Sequence, residues 1–130
     1  MKIDEHIKYW LDSAAHDLDV AEHLFQSGKY DWSLFIGHLV LEKTLKALFV
    51  FKNNNQAPPK IHNLVRLADL SGLVLTMEQK MLFDKITDFN IDTRYPSVKF
   101  EFYKQCTAQF TQEYFAAIKE NYTWLKSLIK

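Results

Sequence analysis

A single cysteine, Cys106, excludes any disulfide within the chain, and with it the stapled scaffolds of small secreted domains. Only three glycines and three prolines leave few turns and long uninterrupted segments, a pattern that favours helix. Sixteen basic residues balance sixteen acidic ones, so no global field draws the chain to nucleic acid or to an acidic membrane, and attraction must come from local groups. The longest apolar run, Ala47 to Phe51, is far too short to cross a bilayer, and the charged start "MKIDEHIKYW" shows no signal-peptide core. A reducing, cytoplasmic setting is the expectation. Hydrophobic residues make up 48% of the chain, well above a disordered composition, and 130 residues suit one domain with one core.

Apolar spacing at three and four residues runs through Ile7, Leu11, Ala14, Leu18, Ala21 and Phe25. It predicts a first helix from Asp4 to Ser27, closed by Gly28. Asp31 is placed to N-cap a second helix that ends near Asn53, where "NNNQAPPK" stops it. A short third helix is expected from about Ile61 to Leu70. A fourth starts at the capping box of Thr76 and Gln79 and reaches about Asn90. Pro96 disfavours helix at Tyr95, and Val98, Phe100 and Phe102 alternate with Lys99, Glu101 and Tyr103, which predicts an extended stretch. A fifth helix is expected from about Lys104 onward, with Phe110, Tyr114, Ala117, Asn121, Leu125 and Leu128 on its buried face. The sum is an all-α, up-and-down antiparallel bundle of about five helices in a single domain, 1–130.

Four groups of residues could carry chemistry. Asp12, His16, Asp19 and His23 share one face of the first helix at spacings that suit a divalent metal. That face lies opposite the apolar one, and no Glu-x-x-His supplies ligands from a facing helix, so it reads as a solvated face with no metal expected. Nucleophile elbows, Walker lysines and glycine-rich phosphate loops are missing, so no cofactor is expected, and Cys106 reads as packing.

The third group is in "FIGHLVLEKTLKALFVF", residues 35 to 51, which is apolar nearly all round a helix. His38, Glu42 and Lys46 nevertheless recur in it every fourth residue, with Lys43 beside them. Such a stripe is either a strip of surface or a polar site inside the protein. In the second case a dimer interface or a ligand would satisfy it. The fourth group is "DTRYPSVKF". Arg94, one of two arginines, offers a bidentate phosphate fork with Tyr95 as a stacking ring. Alternatively, Arg94 caps helix-four carbonyls while Tyr95 packs inward.

These segments in order resemble the HEPN family (higher eukaryotes and prokaryotes nucleotide-binding domain). The matching residues are Asp17, Leu18, Ala21 and Leu24, then Glu42, Lys43 and Lys46, then His62 and Leu64, then Arg94, Tyr95 and Pro96. The resemblance covers almost the whole chain. It implies a helical bundle that commonly forms homodimers and is often encoded beside a small nucleotidyltransferase as its partner. It also implies either nucleotide or RNA binding, or metal-independent ribonuclease activity of the toxin–antitoxin kind. Family ribonucleases carry an Arg and, after four to six intervening residues, a His, where this chain has Lys99, Phe100 and Glu101. The expectation is therefore a binding module using Arg94, Tyr95, Lys43, Lys46, His38 and Glu42, with the ribonuclease as the alternative.

Overall fold

The computed structural model describes the backbone of residues 1–130 and the side chains of all but residues 96–99. Six helices follow one another, and no strand occurs among the described residues: α1 (Ile3–Gln26), α2 (Tyr30–Lys52), α3 (Leu64–Leu70), α4 (Met77–Arg94), α5 (Pro96–Gln105) and α6 (Ala108–Ser127). Helix α2 is the axis of the bundle and touches all five others, most extensively α1. Its near-continuous apolar surface follows from that position, because a helix surrounded by neighbours has almost no wet side.

Close approach is built from small residues. Ala14 and Ala21 of α1 are fully buried, and the Ser33 hydroxyl of α2 donates to the Ala21 carbonyl at 2.8 Å. At Gly37 a Cβ would lie 2.8 Å from Cδ1 of Ile118, so the missing side chain sets the α2–α6 distance. Gly28 stands at φ +76° after α1, and the Lys29 amide turns back to the Leu24 carbonyl at 2.8 Å, the left-handed C-terminal stop that the sequence predicts. The Thr76–Gln79 capping box forms as expected.

Several boundaries differ. Asp31 lies inside the first turn of α2 rather than at its cap, and is buried. Helix α3 starts only at Leu64, where Asn63 accepts from the Arg66 amide. Helix α4 runs four residues past Asn90, to Arg94.

The stretch expected to be extended is helix α5. Proline restrains the residue before it, so only Tyr95 is extended, at φ −97° and ψ 120°. Pro96 itself then serves as the first helical residue, where a missing N–H costs nothing. Phe102 is buried against Phe89 while Phe100 is 64% exposed, so two residues assigned to one strand face lie on opposite sides of a helix. The side chains of Val98 and Lys99 lie outside the described residues.

Helix α6 starts at Ala108 behind a Thr107 cap, later than Lys104. It buries Thr111, Phe115, Ile118, Tyr122 and Leu125, a face turned by one residue from Phe110, Tyr114, Ala117 and Asn121. The displaced aromatics are not wasted: Phe110 and Tyr114 pack edge-on to Phe89 of α4.

Candidate functional site

The charged stripe of α2 lies inside the protein. His38 is fully buried, and Glu42 and Lys46 are 4% and 6% exposed. Glu42 holds Lys46 with one oxygen at 3.0 Å and Nδ1 of His62 with the other at 2.7 Å. Lys46 also sits under the Trp10 ring of α1, 5.4 Å from its centroid. His62 belongs to the connection between α2 and α3, and its side chain stays 58% exposed. All of these groups belong to one chain. The stripe thus finds partners within its own chain, where a dimer interface or a ligand was the expected source.

His38 extends the network to α4. Its Nε2 donates to the His62 carbonyl at 2.8 Å, and its Nδ1 lies 3.4 Å from Nδ2 of Asn90. Burial holds the His38 pKa below the usual imidazole value. The contact with the His62 carbonyl and the nearby Glu42 raise it, while the imidazole of His62 and the guanidinium of Arg94 lower it. His38 is therefore a neutral imidazole with its proton on Nε2 and a lone pair on Nδ1.

Arg94 closes the chain of contacts at the surface. Its Nε donates to the Asn90 carbonyl at 2.9 Å, and Nη2 donates to the Asn90 side-chain oxygen. Arg94 thus does cap a helix-four carbonyl, yet Tyr95 is 51% exposed rather than packed inward. The guanidinium carbon lies 5.8 Å from the Phe35 ring centroid and 5.7 Å from that of Tyr95, within cation–π range of both. Trp32, 41% exposed, meets Phe35 edge-on at 5.7 Å. An exposed guanidinium beside two aromatic rings, with a third against one of them, is a surface that can hold a phosphate and a flat base together.

Arg94, Tyr95, His38, Glu42 and Lys46 are therefore linked through Asn90 and His62. Lys43 stands apart and pairs with Asp17 of α1 at 2.7 Å. Lys46 is buried in its pair with Glu42 rather than offered at the Arg94 surface. Asn90 and Phe35, which contact Arg94, are not among the candidate residues expected from the sequence. Asn90 sits four positions before Arg94, a spacing that could have signalled the contact.

Elsewhere, Asp12, His16, Asp19 and His23 are exposed on α1. Asp12 pairs with Lys8 at 2.6 Å, His23 approaches Asp19 at 3.7 Å, and no group of three metal-ligating residues occurs among the described residues. A concavity of about 410 Å³ opens between α3 and the start of α4 and includes none of the Arg94 group. Among the described residues no helix is long and apolar enough to cross a membrane.

Comparison with curated proteins and with solved structures returns no match for the chain. The family model for the HEPN domain, in contrast, matches residues 7–128, from the first turns of α1 to the end of α6. With nearly the whole chain covered and an all-helical bundle observed, the chain belongs to the HEPN family.

Proposed function

We propose that this chain is a binding module for a phosphate-bearing ligand, a nucleotide or RNA, received at Arg94 and Tyr95. One observation carries the reading: the guanidinium stands at the surface between the rings of Phe35 and Tyr95 while its far side is held by Asn90. That arrangement fixes a fork toward solvent and places stacking surfaces beside it. Family membership supports a nucleotide- or RNA-related module. Lys43 and Lys46, already paired with Asp17 and Glu42, act in this reading through those pairs rather than as direct phosphate contacts. With a net charge of zero, affinity rests on few groups, so it is modest and sensitive to salt in proportion to the few phosphate contacts made.

A ribonuclease of the family's usual type needs an imidazole beyond the Arg, and this chain has Lys99, Phe100 and Glu101 at those positions. The module reading is therefore favoured over the enzyme. A homodimer and a small nucleotidyltransferase partner belong to the same reading. Ile91, Phe100 and Tyr103, each more than half exposed on α4 and α5, are the apolar residues such a partner would cover.

The experiment titrates labelled RNA and ATP against wild type and Arg94→Lys at two salt concentrations, with light scattering on the same samples. Wild type should bind at least one ligand at low salt, and Arg94→Lys should bind it about tenfold more weakly, because a lysine cannot make the bidentate contact. Equal binding by both proteins would sink the fork. A mass of 15.4 kDa at every concentration would sink the dimer.

A further inference from the structure

Arg94 is steadied by an amide rather than by a carboxylate. A guanidinium carries only donors, so the oxygen of the Asn90 side chain must face it, and Nδ2 must point the other way. There it meets Nδ1 of His38 at 3.4 Å, and that nitrogen is an acceptor because Nε2 spends its proton on the His62 carbonyl. Only one proton arrangement satisfies all these contacts at once. His38 is fully buried and Asn90 is 4% exposed, so bulk water does not compete for these contacts.

We propose that Asn90 and His38 are positioning residues for the Arg94 site: His38 fixes which way the Asn90 amide faces, and the amide fixes the guanidinium between Phe35 and Tyr95. This rests on the reading of Arg94 as a phosphate-binding group. Its mechanical part stands separately, since the fork is held in place whether or not ligand is present. An asparagine is suited to the task because it offers an acceptor on one side and a donor on the other. Leucine offers neither, and aspartate offers two acceptors.

The arrangement responds to a proton. If His38 gained one on Nδ1, two donors would face each other, and the amide would have to turn over to accept from the imidazole. Its NH₂ would then oppose the guanidinium, and Arg94 would lose its side-chain acceptor. The charged and titratable groups facing His38 are Glu42 from α2, His62 from the α2–α3 connection and Arg94 from α4. Of these, only Glu42 favours the proton.

The test uses the full chain labelled with ¹⁵N, as wild type, Asn90→Leu and Asn90→Asp. In wild type at neutral pH the Nη signals of Arg94 should be resolved, because a hydrogen bond restrains rotation of that half of the guanidinium. In Asn90→Leu they should average, and affinity for a labelled oligoribonucleotide should fall about tenfold. Asn90→Asp should restore the resolved Nη signals, since an acceptor again faces Arg94. It should also raise the pH at which the His38 ring nitrogens titrate, because a carboxylate in place of Nδ2 stabilises a proton on Nδ1.

Resolved Nη signals in Asn90→Leu would overturn the proposal. So would an unchanged His38 titration in Asn90→Asp, a readout that stands even if the leucine variant fails to fold. Wild type that binds no RNA while the nitrogen signals behave as expected would reject the phosphate reading and leave the positioning role supported.

Discussion

Burial removes His38 from water, and the contacts that replace water suit its neutral form: an acceptor at the His62 carbonyl and a donor at the Asn90 amide. The sign of the resulting pH dependence follows from linkage. The folded-state pKa of His38 lies below the ordinary 6.5. Above that value the residue is neutral in both states and its contribution to stability is fully present. As pH falls below about 6.5, the unfolded chain takes up a proton that the folded one refuses, so stability drops until the lower folded value is passed. Urea unfolding at pH 7.5 and pH 5 should show this loss. His38→Gln, with no proton to gain, should flatten the dependence, and an unchanged slope would show that His38 is not its source. Little of this was legible in the sequence. The helical pattern put His38 on a polar stripe, but its partners lie 24 and 52 residues away in the chain, beyond the reach of any local spacing rule.

Helix α2 shows at the level of an element why half of a network can be seen in advance. The four-residue spacing of Glu42 and Lys46 is visible in the sequence, and the ion pair forms at 3.0 Å. The third member, His62, arrives from the connection after α2, and the covering ring, Trp10, arrives from α1. These are tertiary contacts that a helix pattern does not encode. They change the energetics, because Glu42 is an enclosed carboxylate with two partners rather than a rung of a surface ladder. Glu42→Ala should therefore cost about 3 kcal/mol or more, leaving Lys46 buried beside no counter-charge. Asp12→Ala, on the exposed pair with Lys8, should cost no more than about 0.5 kcal/mol. Denaturant unfolding of the two variants gives the comparison, and equal costs would return Glu42 to the status of a surface pair.

The bundle as a whole was the most legible part, since scarce glycine and proline with three- and four-residue apolar spacing admit few alternatives to packed helices. The exception, α5, arose from reading Pro96 as a helix stop when it is a helix start, and from taking Phe100 and Phe102 as one face. That segment follows directly on Arg94, so the misreading concealed that Arg94 and Tyr95 occupy a joint between two helices. A joint of this kind exposes side chains that either helix alone would turn toward a neighbour. It is where an electroneutral molecule can gather local affinity for an anion. Mapping ¹⁵N and ¹³C chemical shifts of the labelled chain during titration with a short oligoribonucleotide at low salt tests this most directly. The account predicts that the changes centre on Arg94, Tyr95, Phe35 and Trp32 and reach Asn90 and His38 behind them. Changes centred on Lys43 and the exposed face of α1, with Arg94 and its rings unmoved, would contradict it.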